Sequence, residues 1–281
     1  MTNDINTKFQ KVVSYLAPLS DEFLLTLGTS QDDDDDDDDA QQDFVIYPWE
    51  VEQRLSNICT YKASGPDGLP NWVLKEMAPL IAEPICAIFN MSVRQGHVPY
   101  LWKHATVIPV PKVSALRIVE TDLRPISLTA TLSKILESFI GRWILNAVRS
   151  KLDNNQYGAL KQRSTSHALV SALHHWSVAA DSGNSVRVLF VDYSKAFDRV
   201  DHNILLNKMK AVGVPKLVLK WLFSFLKGRR QRVKIGHVLS DWLELAAGMA
   251  QGTWLGPLTF IMHVDGLKPP CIVHKYIDDV T

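Results

Sequence analysis

The stretch SVRVLFVDYSKAFDRVDH, residues 185–202, changes character halfway along. Its first half is β-branched and aromatic, and a period of two puts Val186, Val188, Phe190 and Asp192 on one face of a strand. The second half is charged and leads into HNILLNKMKAVG, residues 202–213, which reads as a helix closed by Gly213. Asp192 thus ends an apolar strand. Another strand, CIVHKYIDDVT (271–281), reaches a turn at the adjacent pair Asp278 and Asp279. If the two strands are neighbours, three carboxylates meet at one sheet edge. Such groups repel unless cations neutralise them, and oxygen-only ligands select hard ions such as Mg²⁺. Strand-end aspartates also serve as plain turn and capping residues.

The neighbouring segments alternate between β and α character. The spacing of ALVSALHHW (168–176) after Ser164–Thr165–Ser166 sets Leu169, Leu173 and Trp176 on one helical face, with a serine or threonine cap. PKLVLKWLFSFLKG reads as a helix ending at Gly228, and RRQRVKIGHVLSDWLELAAG as a β-hairpin. MAQGTWLGPLTFIMHVDGL starts as a glycine-rich loop and becomes a helix. Upstream, SLTATLSKILESFIGRWILNAVRS is an amphipathic helix. ATVIPVPK is extended, with prolines that predict an edge position. NWVLKEMAPLIAEPICAIFNMSVRQG is helical with proline interruptions, PWEVEQRLSNI carries Val51, Leu55 and Ile58 at helical spacing, and KFQKVVSYLAPL suits a short helix. This order suits an α/β or α+β domain.

The 281 residues suffice for one large domain or two small ones. Residues 1–100 hold 6 Lys/Arg against 17 Asp/Glu, and residues 101–281 hold 24 against 13, so a net charge of zero hides an acidic half and a basic half. Eight of the acidic charges form the run Asp32 to Asp39, which reads as a disordered linker. The basic half fits a polyanionic partner. Lys227, Arg229, Arg230, Arg232 and Lys234 lie within eight residues, the pattern of a phosphate-binding hairpin or of a solvated face. Three widely spaced cysteines fit a reducing compartment rather than a disulfide framework. Neither a signal peptide nor a membrane-length apolar run is present in the sequence.

FVDYSKAFDRVDH, GMAQGTWLGPLTF and YIDD, in that order, resemble the three central palm motifs of reverse transcriptases of the non-LTR (LINE-type) retrotransposons. KASGPDGLPNWVLK, WKHATVIPVPK, DLRPISLTATLSKILE and NQYGALKQRSTSHAL extend the resemblance over Trp49–Thr281. It implies an α+β right-hand polymerase: an N-terminal arm over 1–43, fingers over 44–184, an incomplete palm over 185–281, and no thumb. RNA-directed DNA polymerisation follows, with two Mg²⁺ ions, or Mn²⁺ in their place. Their ligands would be Asp192, Asp278, Asp279 and a backbone carbonyl such as that of Val191. Phe197 matches the gate against a ribose 2′-hydroxyl, and Gln251 with Gly252 matches the pair that approaches the incoming nucleotide. Arg124, Lys161 and Arg163 match fingers positions, and Lys195 stands beside the first aspartate motif. The implied partners are an RNA template, a DNA primer and dNTPs, in the nucleus or cytoplasm and away from membranes. Departures from the pattern are Ala250, Thr253, Trp254, Leu160 and Ile277; Trp254 is bulky for a loop against template, although an indole is able to stack on a base. The competing expectation is a catalytically inactive, truncated remnant that at most binds nucleic acid.

Overall fold

The computed structural model describes residues 1–28, 44–115 and 117–281, so the aspartate run lies outside the described residues. In chain order the elements are α1 (Thr2–Lys11), α2 (Glu22–Leu25), α3 (Pro48–Ser56), α4 (Asn71–Glu76), α5 (Ala78–Arg94), β1 (His104–Pro111), α6 (Val119–Asp122), β2 (Leu123–Thr129), α7 (Thr131–Val148), α8 (Thr165–Asp181), β3 (Val191–Asp192), α9 (His202–Ala211), α10 (Lys216–Leu226), β4 (Arg229–Ile235), β5 (Val238–Leu239), β6 (Leu243–Leu245), α11 (Gly256–Val264), β7 (Lys275–Tyr276) and β8 (Asp279–Val280). The result is a mixed α+β architecture with one mixed sheet and one small antiparallel sheet.

Apolar residues at helical spacing decide where the core sits. Phe89 of α5, Phe139 and Ile140 of α7, Leu205 and Leu206 of α9, Leu222 and Phe225 of α10 and Ile261 of α11 are fully buried in one cluster. Each such side chain contributes about 1.5–3 kcal/mol by leaving water. A smaller cluster of Ile5, Val107, Leu123 and Val233 lies where α1 crosses the larger sheet.

That sheet runs β2-β1-β4, with β5 and β6 as successive partners along the far edge of β4. β1 is antiparallel to β2 over Ala105–Pro111 and parallel to β4 only over His104–Val107. The expected edge position of ATVIPVPK is therefore corrected: β1 is internal. Its prolines are tolerated because Pro109 and Pro111 lie past Val107, where pairing with β4 has stopped and one side needs no donor. Two further expectations shift. The segment from Ser127 begins as the end of strand β2 and turns helical only at Thr131. Pro84 sits inside α5 without ending it.

The larger correction concerns residues 185–202. Only Val191 and Asp192 are in a ladder, paired with Val280 and Asp279 of β8. Val186, Val188, Leu189 and Phe190 are exposed, Phe190 by 73%. A strand needs a partner for its backbone groups, and β8 offers two residues. The expected apolar face of α8 is likewise open. Ser164 does cap the helix, accepting from the His167 N–H, yet Leu169 and Leu173 are 62% and 55% exposed and Ala172 is its one buried residue. None of the helices among the described residues is long and apolar enough to cross a membrane.

Candidate active site

A cleft of about 550 Å³ opens between the larger sheet and the small one. Asp192 and Asp278 line it, together with Lys112, Arg124, Lys195, Phe197, Asp198 and Gln251. The small sheet brings the carboxylates together: Asp192 pairs with Asp279 in register, and Asp278 sits in the two-residue turn joining β7 to β8. Burial, and then the charges of Asp279 and Asp192, hold the Asp278 carboxyl above its ordinary value. Lys112 also lines the cleft, although nothing in the sequence singled it out.

The turn itself is strained. Ile277 has φ +60° while Asp278 does not, the pattern of a II′ turn, whose first central position favours glycine. A β-branched residue there needs outside support. Support comes from the loop 153–158. The buried side-chain oxygen of Gln156 accepts the N–H of Ile277 at 3.1 Å and that of Gly158 at 2.9 Å. Lys275 N–H donates to Asn155 O, Tyr157 N–H donates to Lys275 O, and Lys275 Nζ meets Asp153 at 2.7 Å. Burial alone would raise the Asp153 carboxyl; the hydrogen bond from Lys275 brings it below its usual value.

The opposite wall is locked from behind. Glu137 is fully buried, and its carboxylate accepts the N–H groups of Trp254 at 2.7 Å and Leu255 at 3.2 Å and the Ser133 hydroxyl at 3.0 Å. Burial raises its carboxyl, and Arg229 opposes that rise. Arg229 is itself 2% exposed, stacked over Phe225 at 4.5 Å. Its expected role at a phosphate is therefore corrected: period two turns Arg229, Gln231 and Val233 inward along β4. His202 Nε2 donates to Gly248 O at 2.8 Å, and Asp198 accepts from Gln251 Nε2 at 3.1 Å. The Gln251 carbonyl accepts from Ser127 N–H of β2 at 2.8 Å. Gly252 follows with φ +127°, where a Cβ would stand 2.6 Å from Ser127 O, so the loop meets β2 only as glycine. Phe197 packs against Phe260, ring centres 5.3 Å apart, on the cleft wall.

Other expected residues fall elsewhere. Trp254 lies on Gly141 of α7, where a Cβ would come within 1.9 Å of the indole, and it remains 42% exposed. Lys161 is exposed outside the cleft lining, and Arg163 spends its guanidinium on the carbonyls of Asn154 and Gln156, both at 2.6 Å. Lys227 pairs with Asp21 and covers the Phe223 ring. Arg230 and Arg232 are half-buried and Lys234 is exposed.

As a metal site the carboxylates are neighbours rather than a finished cage. Among the described residues no three His, Cys, Asp or Glu side chains close into a ligand set. Their chemistry fits a divalent cation all the same: oxygen donors only, with the charged form of Asp278 disfavoured first by burial and then by Asp279 and Asp192. Val191, paired with Val280, brings its backbone to the same edge.

Residues 110–281 match the family model described as reverse transcriptase (RNA-dependent DNA polymerase). The chain is 30% identical over 235 residues to the probable RNA-directed DNA polymerase from transposon X-element of Drosophila melanogaster, covering 82% of this chain and 26% of the relative. It is also 30% identical over 213 residues to the RNA-directed DNA polymerase from mobile element jockey of the same fly, covering 75% and 23%. A putative 115 kDa protein of the type-1 retrotransposable element R1DM is 26% identical, covering 83% and 23%. The chain thus spans about a quarter of the length of the curated relatives it matches. With the three carboxylates, the buttressed loop and these similarities together, this chain belongs to the reverse transcriptase (RNA-dependent DNA polymerase) family, among the polymerases of non-LTR retrotransposons.

Proposed function

We propose that the cleft performs RNA-templated DNA synthesis, with residues 44–184 acting as fingers and 185–281 as palm. The observation that carries this reading is the register Asp192 to Asp279, with Asp278 in the turn facing a cleft lined by Lys112, Lys195 and Phe197. Asp192, Asp278 and Asp279, with the Val191 carbonyl, would hold two Mg²⁺ ions. Bound there, such ions supply charge neutralisation to the attacking and leaving oxygens of a phosphoryl transfer. In the reaction, the primer 3′-oxygen bonds to the α-phosphorus of a dNTP as the bond to the bridging oxygen breaks and pyrophosphate leaves. Lys112, Lys195 and Arg124 offer positive charge to the triphosphate. Phe197, packed against Phe260, would be the bulk that excludes a 2′-hydroxyl, and Gln251, which donates to Asp198, would contact the nucleotide.

The test is primer extension on poly(rA)/oligo(dT) with Mg²⁺ or Mn²⁺, comparing the chain with an Asp278→Ala/Asp279→Ala variant. Extension by the first and not the second is expected. A second reading, nucleic-acid binding without synthesis, draws on the open face of α8 and the unpaired residues 186–190 beside the carboxylates. A folded chain that binds template–primer and extends nothing would establish that reading instead.

A further inference from the structure

β4 has two faces with different chemistry. Gln231 turns into the cleft and is held by Asn6 of α1 at 3.0 Å. Arg230, Arg232 and Lys234 alternate to the other side, away from the carboxylates. Alternate residues on a strand stand about 7 Å apart, so the three cations form a spaced row. Aromatic rings flank them. Trp242, opposite Arg232 along the hairpin, lies under its guanidinium at 4.5 Å. His104 of β1 pairs in register with Arg230; its ring is 4.6 Å from Trp242 and 4.4 Å from Tyr100. Arg230 Nη1 donates to the Tyr100 hydroxyl at 3.0 Å. Tyr100 and Lys234 are exposed, and Arg230, Arg232 and Trp242 are partly so. Glu244 of β6 pairs in register with Arg230, whose guanidinium turns to Tyr100. His104 lies below the ordinary imidazole value, first from burial and then from the charge of Arg230, Arg232 and Arg229.

We propose that this outer face of the larger sheet binds an unpaired stretch of RNA, at a site separate from the cleft. A row of cations takes successive phosphates, and Tyr100 and Trp242 offer rings on which unpaired bases stack, a combination suited to single strands and blind to sequence. Base-paired RNA keeps its bases stacked on one another and has no use for those rings. The choice of RNA rests on the polymerase reading above; the surface itself does not.

Fluorescence anisotropy of a short labelled oligouridine with the full chain, across a salt series, tests it. Arg230→Gln/Arg232→Gln weakens binding by about tenfold or more and flattens the slope of log affinity against log salt by about 1.4, two phosphate contacts on a single strand. Trp242→Ala weakens binding about fivefold or more, whereas Trp242→Phe, which keeps a ring, binds nearly as wild type. Ultraviolet cross-links fall on peptides carrying Tyr100 or Trp242. Circular dichroism establishes that each variant is folded, and the Trp242 pair separates ring chemistry from packing. No binding by wild type, binding unchanged in the arginine variant, or cross-links confined to cleft peptides overturns the proposal. Equal competition by duplex RNA overturns the single-strand assignment, and equal competition by oligo-deoxyuridine reassigns the face to DNA. The two readings are tested by different variants and readouts, Arg230→Gln/Arg232→Gln in oligouridine binding for this face and Asp278→Ala/Asp279→Ala in primer extension for the cleft. Loss of the polymerase reading by primer extension is therefore a separate result from loss of this one.

Discussion

α10 and α8 are both amphipathic helices, and they have opposite fates. Of the eleven residues in α10, seven are buried, among them Trp221, Leu222 and Phe225. α8 is six residues longer and buries Ala172 alone. It is tied to β7 through polar groups: His274 Nε2 meets Ser171 Oγ at 3.1 Å, and the rings of His175 and His274 lie 5.6 Å apart. Leu169, Val170, Leu173 and Val178 remain open, continuous in kind with Val186 to Phe190. One side of the cleft is thus backed by a dry core and buried polar groups. The other carries the carboxylates on a two-residue ladder. An apolar stripe states a demand for a partner; it does not supply one.

The strongest way to break this contrast is at the locked wall. Glu137→Ala removes the acceptor for Trp254 and Leu255 and strands Arg229, so a loss of about 3–5 kcal/mol is expected in urea unfolding. A loss under 1 kcal/mol would show that the wall stands without its buried carboxylate. Leu222→Ala should cost about 3 kcal/mol by the same measurement, as a fully buried leucine does.

His202 sharpens the contrast through pH. Burial pushes its imidazole down to about 4, so the folded state binds its proton less readily than the unfolded chain. Its contribution is present above the ordinary value near 6.5 and is lost as pH falls toward 4, about 3 kcal/mol at most. His202→Gln should flatten the pH dependence of stability across that window, and an unchanged profile would remove His202 as its source.

On the open side, Gln156→Ala frees the N–H groups of Ile277 and Gly158 and should cost about 1–3 kcal/mol. The readout is faster hydrogen exchange at the 275–280 hairpin, with the α10 region unaffected. Least of all, Leu173→Ala should change stability by less than about 0.5 kcal/mol, as an exposed residue does. A loss above 2 kcal/mol would mean that the α8 face is covered in solution.

Much of this was legible in the sequence because it is local. Period and caps marked α3, α9 and α10 within a residue or two, and the cap of α8 falls within Ser164–Thr165–Ser166, at Ser164. The order of the motifs carried the family and named Asp192, Asp278, Asp279, Phe197 and Gln251, because short runs of side chains and glycines hold that chemistry. Glu137, Gln156 and Lys112 lie within the family-like motifs, yet the string gave none of them its role. Each acts on a residue far along the chain, and a glutamate inside an amphipathic helix looks like any solvated charge until the helix is packed. Arg229 gave the converse error: five cations in eight residues look alike in a string, and the pleat of β4 sends one inward and three outward. The sequence by itself determined most of the helices, the family and the candidate metal-holding carboxylates, since these depend on near neighbours. Only the tertiary structure decided which charges are buried as counter-ions, which face water, and which apolar stripes find a partner, since those outcomes depend on contacts between segments a hundred residues apart.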